Sequence, residues 1–168
     1  MTSTNSFLGI PVIGDISEGE KRPKQRPIED LAPLMQAVLD DPTIVEFGWA
    51  QYTPYFNDGD PCVFGVRGEI WVRTVTDEDV EDTYDLEVDR YGGHPSLGKK
   101  DRTWNRETSS YDEKPYEGPD EARYERCQAL NAAIEGGEFL DVLLNAFGDH
   151  AEVTVKKDGI EVGSYSHD

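Results

Sequence analysis

The spacing of apolar residues changes at Pro42, and this change limits the fold more than any other feature of the chain. Before it, Leu31, Leu34, Met35, Val38 and Leu39 recur at i, i+3, i+4, i+7 and i+8, one stripe along a helix. After it, Val45, Phe47 and Trp49 fall at every second position, the period of a strand running from about Thr43 to Tyr52. A chain that switches period in this way has a helix stripe to bury against the face of a sheet. Pro33 fits only the first turn of a helix, where its missing N–H leaves no bond unmade, so Asp30 is the expected cap and Pro42 the stop.

The rest of the chain is punctuated for reversals. Pro54-Tyr55-Phe56-Asn57-Asp58-Gly59-Asp60-Pro61 is dense in turn formers, and Cys62, Phe64 and Val66 alternate on the return. Gly68 marks a bulge before a β-branched run from Ile70 to Val75. Beyond an acidic turn at Thr76 to Asp82, Tyr84, Leu86 and Val88 alternate with Asp85, Glu87 and Asp89, the pattern of a strand with one buried and one wet face. Residues 92–118 read as a long polar loop containing Trp104. Pro119 and Asp120 open a second helix whose inner face is Tyr124, Cys127, Leu130 and Ile134, and Gly136-Gly137 ends it. Phe139, Val142, Leu143, Ala146 and Phe147 form a third stripe, stopped by Gly148. Asp158-Gly159 between Val153-Val155 and Ile160-Val162 is a strong hairpin signal. The expected fold is α+β: a mostly antiparallel sheet with about three amphipathic helices packed on one face. Residues 27–168 are the single expected domain, and residues 1–26, rich in Gly and Pro, an extended N-terminal arm.

Charge excludes more than it identifies. The chain has 168 residues, with 35 acidic against 16 basic side chains for a net of −19, so direct contact with a nucleic-acid backbone is not expected. The basic residues cluster at Lys21, Arg22, Lys24 and Arg26 and again at Lys99, Lys100, Arg102 and Arg106. No apolar run is long enough to cross a bilayer, and Phe7 to Ile13 lacks the basic flank of a signal peptide. Cys62 and Cys127 lie far apart within apolar patterns, as buried reduced thiols would, which favours a cytoplasmic setting.

Candidate chemistry is sparse. No GxSxG, P-loop, dinucleotide fingerprint or HExxH occurs, and no cysteine has a companion histidine. Asp58 and Asp60 lack the spacing of a calcium loop. The pairs Asp149-His150 and His167-Asp168 read more simply as polar residues at a helix end and a chain end than as ligands or general bases. No catalytic residue, metal ligand or cofactor is therefore assigned; a metal-dependent hydrolase of unrecognised type stays as an alternative. The candidate contact residues are Phe7, Leu8 and Ile10 of the arm, Trp104 of the loop, and Tyr55, Asp58 and Asp60 of the turn, where apolar or rigid aromatic groups offer area at small entropic cost. A further alternative is a mimic of nucleic acid: Asp77, Glu78, Asp79, Glu81, Asp82, Asp85, Glu87 and Asp89 form an acidic face able to occupy a basic groove. Its ordinary reading is a solvated sheet edge.

The segment Gln51-Tyr52-Thr53-Pro54-Tyr55-Phe56-Asn57-Asp58-Gly59-Asp60-Pro61-Cys62, and the stretch from Phe147-Gly148-Asp149-His150 through Tyr165-Ser166-His167-Asp168, resemble small acidic proteins of unassigned function encoded by bacteriophages and other mobile elements. The resemblance covers about a fifth of the chain and brings no catalytic residue with it. It implies a setting, the bacterial host cytoplasm or a virion, in which such proteins work by binding. The expectation is a non-enzymatic accessory protein that binds a host or phage protein, as a virion component or an inhibitor of a host protein, with self-association as a further option.

Overall fold

The computed structural model describes residues 5–14, 23–55, 59, 62–89 and 92–166. Its centre is a sheet built on β3 (Ile44–Tyr52), which pairs along one edge with β8 (Ala151–Lys156) and along the other with two short strands in succession, β4 (Gly65–Val66) and β5 (Trp71–Thr74). A last strand, β9 (Gly159–Ser164), extends the sheet beyond β8, and every pairing is antiparallel. Two further hairpins stand apart from this sheet, β1 (Asn5–Phe7) with β2 (Ile10–Val12) and β6 (Arg102–Asn105) with β7 (Ser110–Glu113). Three helices, α1 (Ile28–Leu39), α2 (Glu121–Glu135) and α3 (Leu140–Phe147), complete the α+β architecture that the spacing of apolar residues predicts.

One face of the sheet makes the core. Phe47, Trp49 and Gln51 stand opposite Val155, Val153 and Ala151 on the neighbouring strand, so the six share a face, and all are buried. Against them pack Leu31 and Val38 of α1, Tyr124, Cys127, Leu130 and Ile134 of α2, and Leu143 of α3. The Cys127 thiol is buried, and burial pushes its pKa up to about 12, so it packs as a small apolar group. On the opposite face the Trp71 ring lies across Gly48: a Cβ there would fall 2.8 Å from Trp71 Cζ2 and 2.2 Å from Val153 O. Only glycine allows that approach.

Several boundaries differ from the sequence reading, each for a local reason. Val45 is exposed, because the pairing shifts register between Ile44 and Glu46 and this bulge turns Val45 outward while Ile44 goes in. Helix α1 starts earlier than expected, with Pro27 as its cap; Asp30 lies in the first turn and Pro33 inside the helix. Cys62 is exposed rather than buried, since β4 is only two residues long and leaves the start of the return strand unpaired. The expected strand around Tyr84 is a 3₁₀ turn, Thr83–Leu86, begun by Asp82 as its side chain accepts the Tyr84 N–H at 2.9 Å. Leu86 and Val88 are buried all the same, and Val88 N–H reaches Ile70 O at 2.8 Å.

The segment 92–118 is not a structureless loop. Lys99 and Glu117 exchange backbone hydrogen bonds at 2.9 and 3.0 Å, closing its base, and the β6–β7 hairpin rises from that closure. The arm likewise divides in two. Residues 5–12 fold into the β1–β2 hairpin, turning at Leu8 and Gly9 with φ of 54° and 79°. Residues 23–26 belong to the body, where Gln25 donates to Gly137 O at 2.8 Å and accepts from Asp141 N–H at 2.9 Å, and Arg26 N–H reaches Glu138 O at 2.8 Å. The final hairpin forms as expected, with Lys157 and Asp158 as its connection.

Candidate functional site

The two segments that carry the resemblance meet at one end of the sheet. Gln51 is fully buried and ties them: its Nε2 donates to Leu143 O at 2.9 Å and Gly148 O at 2.7 Å, while its Oε1 accepts from Trp49 Nε1 at 2.9 Å. Thr53 then donates through its N–H and Oγ1 to the two oxygens of Asp149, at 2.8 and 2.6 Å. Burial raises the Asp149 pKa, but the hydrogen bonds from Thr53 and from His150 N–H, with the adjacent imidazole, outweigh it and hold the carboxyl below its ordinary value. His150 adopts a φ of 55°, a strained region for a residue with a Cβ.

That backbone turn lays four rings together. The His150 ring stacks on Tyr55 at 5.1 Å and 23°, and lies 6.4 Å from Tyr52, which in turn meets Tyr165 at 5.4 Å. Arg67 Nη1 donates to Tyr165 Oη at 2.8 Å. Tyr55 is 72% exposed, so the group ends in an open aromatic face. Of the expected contact residues in this turn, Tyr55 is placed on that face, while Asp58 and Asp60 lie outside the described residues, as does the chain-end pair His167-Asp168.

The other expected contact residues sit on the two separate hairpins. Phe7, Leu8 and Ile10 are 65–85% exposed, and Ile13 joins them at 91%. Trp104 is half exposed and meets Tyr111 edge-on across the β6–β7 pair at 5.0 Å, with Arg102 over the Tyr111 ring at 4.9 Å. Each apolar set faces solvent on backbone that is already hydrogen-bonded.

The acidic run does not form one face. Asp77 is 1% exposed: its Oδ2 accepts from Thr74 N–H and Oγ1, both at 2.9 Å, and from Ser96 Oγ at 2.8 Å. Asp82 is spent on the 3₁₀ cap, and Glu78, Asp79 and Glu81 are exposed on the turn. With the expected strand replaced by a turn, the row of carboxylates that mimicry by the whole run would need is lost. Asp85, Glu87 and Asp89 instead surround a cleft of about 480 Å³ with Glu69, floored by Gln128 and Asn131. Burial and the nearby Glu69 charge raise the Glu87 pKa.

Behind Asp77 lies a constellation that the sequence reading did not assemble. His94 is buried, its Nδ1 accepts the N–H groups of Ser96 and Leu97 at 3.1 and 3.2 Å, and its Nε2 meets Val72 O at 2.6 Å. An Nδ1 that accepts twice carries no proton, so Nε2 donates and the ring is neutral; burial lowers its pKa accordingly. Ser96 Oγ donates to Asp77 and not to the imidazole. Serine, histidine and aspartate therefore meet without a free base, and the cluster locks the 92–97 segment onto β5. The only sequence signal was negative: a histidine with no visible partner inside a polar stretch. Among the described residues no group of three or more His, Cys, Asp or Glu is arranged to hold a metal ion, and no helix is long and apolar enough to cross a membrane. Comparison with protein-family models, with curated proteins and with solved structures finds no match.

Proposed function

We propose that this chain is a non-enzymatic accessory protein of bacteriophage origin, active in the host cytoplasm or on a virion, that binds a protein partner through its projecting hairpins and the aromatic face at Tyr55. The observation that carries this reading is the N-terminal hairpin, where Phe7, Leu8, Ile10 and Ile13 present 65–91% of their surface to solvent. Exposed apolar groups gathered on an ordered element mark contact surfaces, and an isolated two-stranded hairpin is marginal unless something covers it. Trp104, Tyr111 and Tyr55 add aromatic groups of the type that dominates protein interfaces. The test is removal of residues 1–14, which leaves Gln25 and Arg26 holding the body. Partner capture from host or phage lysate falls at least tenfold while the melting temperature stays within about 2 °C, as for other surface changes; unchanged capture refutes the role of the hairpin.

A second reading has one observation in its favour. Glu69, Asp85, Glu87 and Asp89 converge on one cleft, which supports insertion of a basic side chain from a groove that otherwise holds nucleic acid. It requires competition with DNA or RNA for a basic protein, weakening with salt; competition that survives Asp85→Lys with Asp89→Lys eliminates it.

A further inference from the structure

The one strongly buried cation of the described chain has no counter-ion. Arg123, in the first turn of α2, is 6% exposed. Its Nη1 donates to Thr43 Oγ1 at 3.0 Å and its Nη2 to Ser96 O at 2.8 Å, both neutral acceptors, and its Nε has no partner among the described residues. The guanidinium has five N–H donors, and each terminal nitrogen uses one of its two on these bonds. In a chain with 35 carboxylates, pairing this group would have been easy. Arg126, on the same helix, shows the usual solution, reaching Asp41 Oδ2 at 2.6 Å. A buried charge is ordinarily paired or bound to a ligand.

Arg123 lines a cleft of about 640 Å³. Lys99 stands at the same cleft, its Nζ 3.2 Å from Asp101 and 3.8 Å from the mostly exposed Glu117; Glu117 is the one acid of the lining, against the two cations Lys99 and Arg123. His94 also borders it and is neutral, both ring nitrogens being engaged with the backbone. Pro119, just before the α2 cap Asp120, closes one side of the cleft. Gly98, at φ 87°, leaves the wall bare, since a Cβ there would lie 2.5 Å from Tyr116 Oη. The remaining surface is largely that of Val75, Pro95 and Pro119. Such a cleft is larger than a bare oxyanion requires, and its apolar walls have no use for one.

We propose that this cleft binds a small organic anion, with a phosphoryl or carboxylate group set on the free N–H groups of Arg123 and on Lys99, and an apolar body against Val75, Pro95 and Pro119. The site lies at the base of the β6–β7 hairpin but includes neither its Trp104 and Tyr111 nor any residue of the N-terminal hairpin, so it stands or falls apart from the partner-binding reading. The experiment titrates the isotopically labelled full chain with phenyl phosphate, benzoate, inorganic phosphate and, as neutral probe, phenol, following the Arg123 Nε–H resonance. A saturable shift with phenyl phosphate or benzoate, absent with phenol, supports the site, and the tighter of the two names the oxyanion. Lys99→Gln, a surface change, weakens the preferred probe about threefold, the size of a partly exposed ion pair. No saturable shift with either organic anion overturns the proposal, as does an equal response to phenol, equal affinity for inorganic phosphate, or full affinity in the Lys99→Gln protein with Arg123 unmoved by the probes.

Discussion

The Glu69 cleft and the Arg123 cleft are opposite in sign, and only one of them is what the composition leads one to expect. The cleft at Glu69, Asp85, Glu87 and Asp89 gathers carboxylates whose charge lies near the surface, where water and salt offset most of its cost. The cleft at Arg123 gathers fewer charges but buries the one that matters, among neutral acceptors and apolar walls. Net charge describes the first and conceals the second. What fixes each site is how far a charge lies from water and what it touches, and both clefts are reached by residues of the single stretch from Glu69 to Ser96.

The contrast is sharpest within the acidic run itself. Asp77 receives three hydrogen bonds in the interior, holding Thr74 and Ser96 together behind the Arg123 cleft, whereas Asp85 is exposed on the rim of the acidic one. Asp77→Ala removes the acceptor of the buried Thr74 N–H and leaves the Thr74 and Ser96 hydroxyls only each other and Thr76, which costs about 3 kcal/mol, while Asp85→Ala changes stability by less than about 0.5 kcal/mol. Urea unfolding of the two variants measures both. Equal effects would mean that the burial of Asp77 has no energetic weight and would remove the basis for treating the two clefts as different in kind.

The next effect separates the clefts by pH. Burial first, against the partial support of Val72 O and the Asp77 charge, lowers the pKa of His94 beside the Arg123 cleft from its ordinary 6.5. The unfolded chain then binds the proton that the folded chain refuses, so the contribution of His94 is fully present above about pH 6.5 and is lost as pH falls toward its lowered folded value. Stability is expected to drop between pH 7 and pH 5.5 more steeply than in a His94→Asn control. Urea midpoints across that range check it. A pH trend identical in the control would place the sensitivity elsewhere.

How much of this was legible depended on whether a residue's role was local. The stripe from Leu31 to Leu39, the alternation at Phe47 and Trp49, and the final hairpin follow from spacing alone, and the α+β fold with them. Val45 was misread because a bulge is a property of two strands, and the sequence shows one. The Tyr84 segment was misread because its alternation of Leu86 and Val88 is real in burial but is met by a 3₁₀ turn and a single bridge to Trp71, set by the Asp82 cap. The aromatic face was half legible: Tyr55 stood out in its turn, but its stacking on His150 spans 95 residues and depends on Gln51, which looked like an ordinary strand amide. Arg123 gave no signal at all. It sits three residues after a cap in a helix full of charges, and only the packed structure shows that no carboxylate among the described residues pairs with its guanidinium.

The smallest effect bears on the acidic cleft and has the opposite pH sign. Glu87 has its pKa raised, first by burial and then by repulsion from Glu69, with Arg67 opposing both. A carboxyl raised in the folded state is protonated there more readily than in the unfolded chain, so it favours folding at low pH and penalises it once pH passes the folded value. Replacing it with glutamine removes the penalty. Glu87→Gln is therefore expected to be slightly more stable than the parent at pH 7, by about 0.5 kcal/mol at most given solvent screening of the partly exposed pair, with the gain vanishing below about pH 4. Asp41 supplies the internal standard. Burial raises its pKa, but bonds from Thr43 and Arg126 outweigh this and lower it overall, so Asp41→Asn is destabilising at pH 7 and the loss shrinks as pH falls. Thermal melts of the two variants from pH 4 to 7 thus diverge in opposite directions. If Glu87→Gln loses stability at pH 7 as Asp41→Asn does, the Glu87 carboxylate is engaged by a cation, and the acidic cleft holds a paired charge like any other surface of this chain.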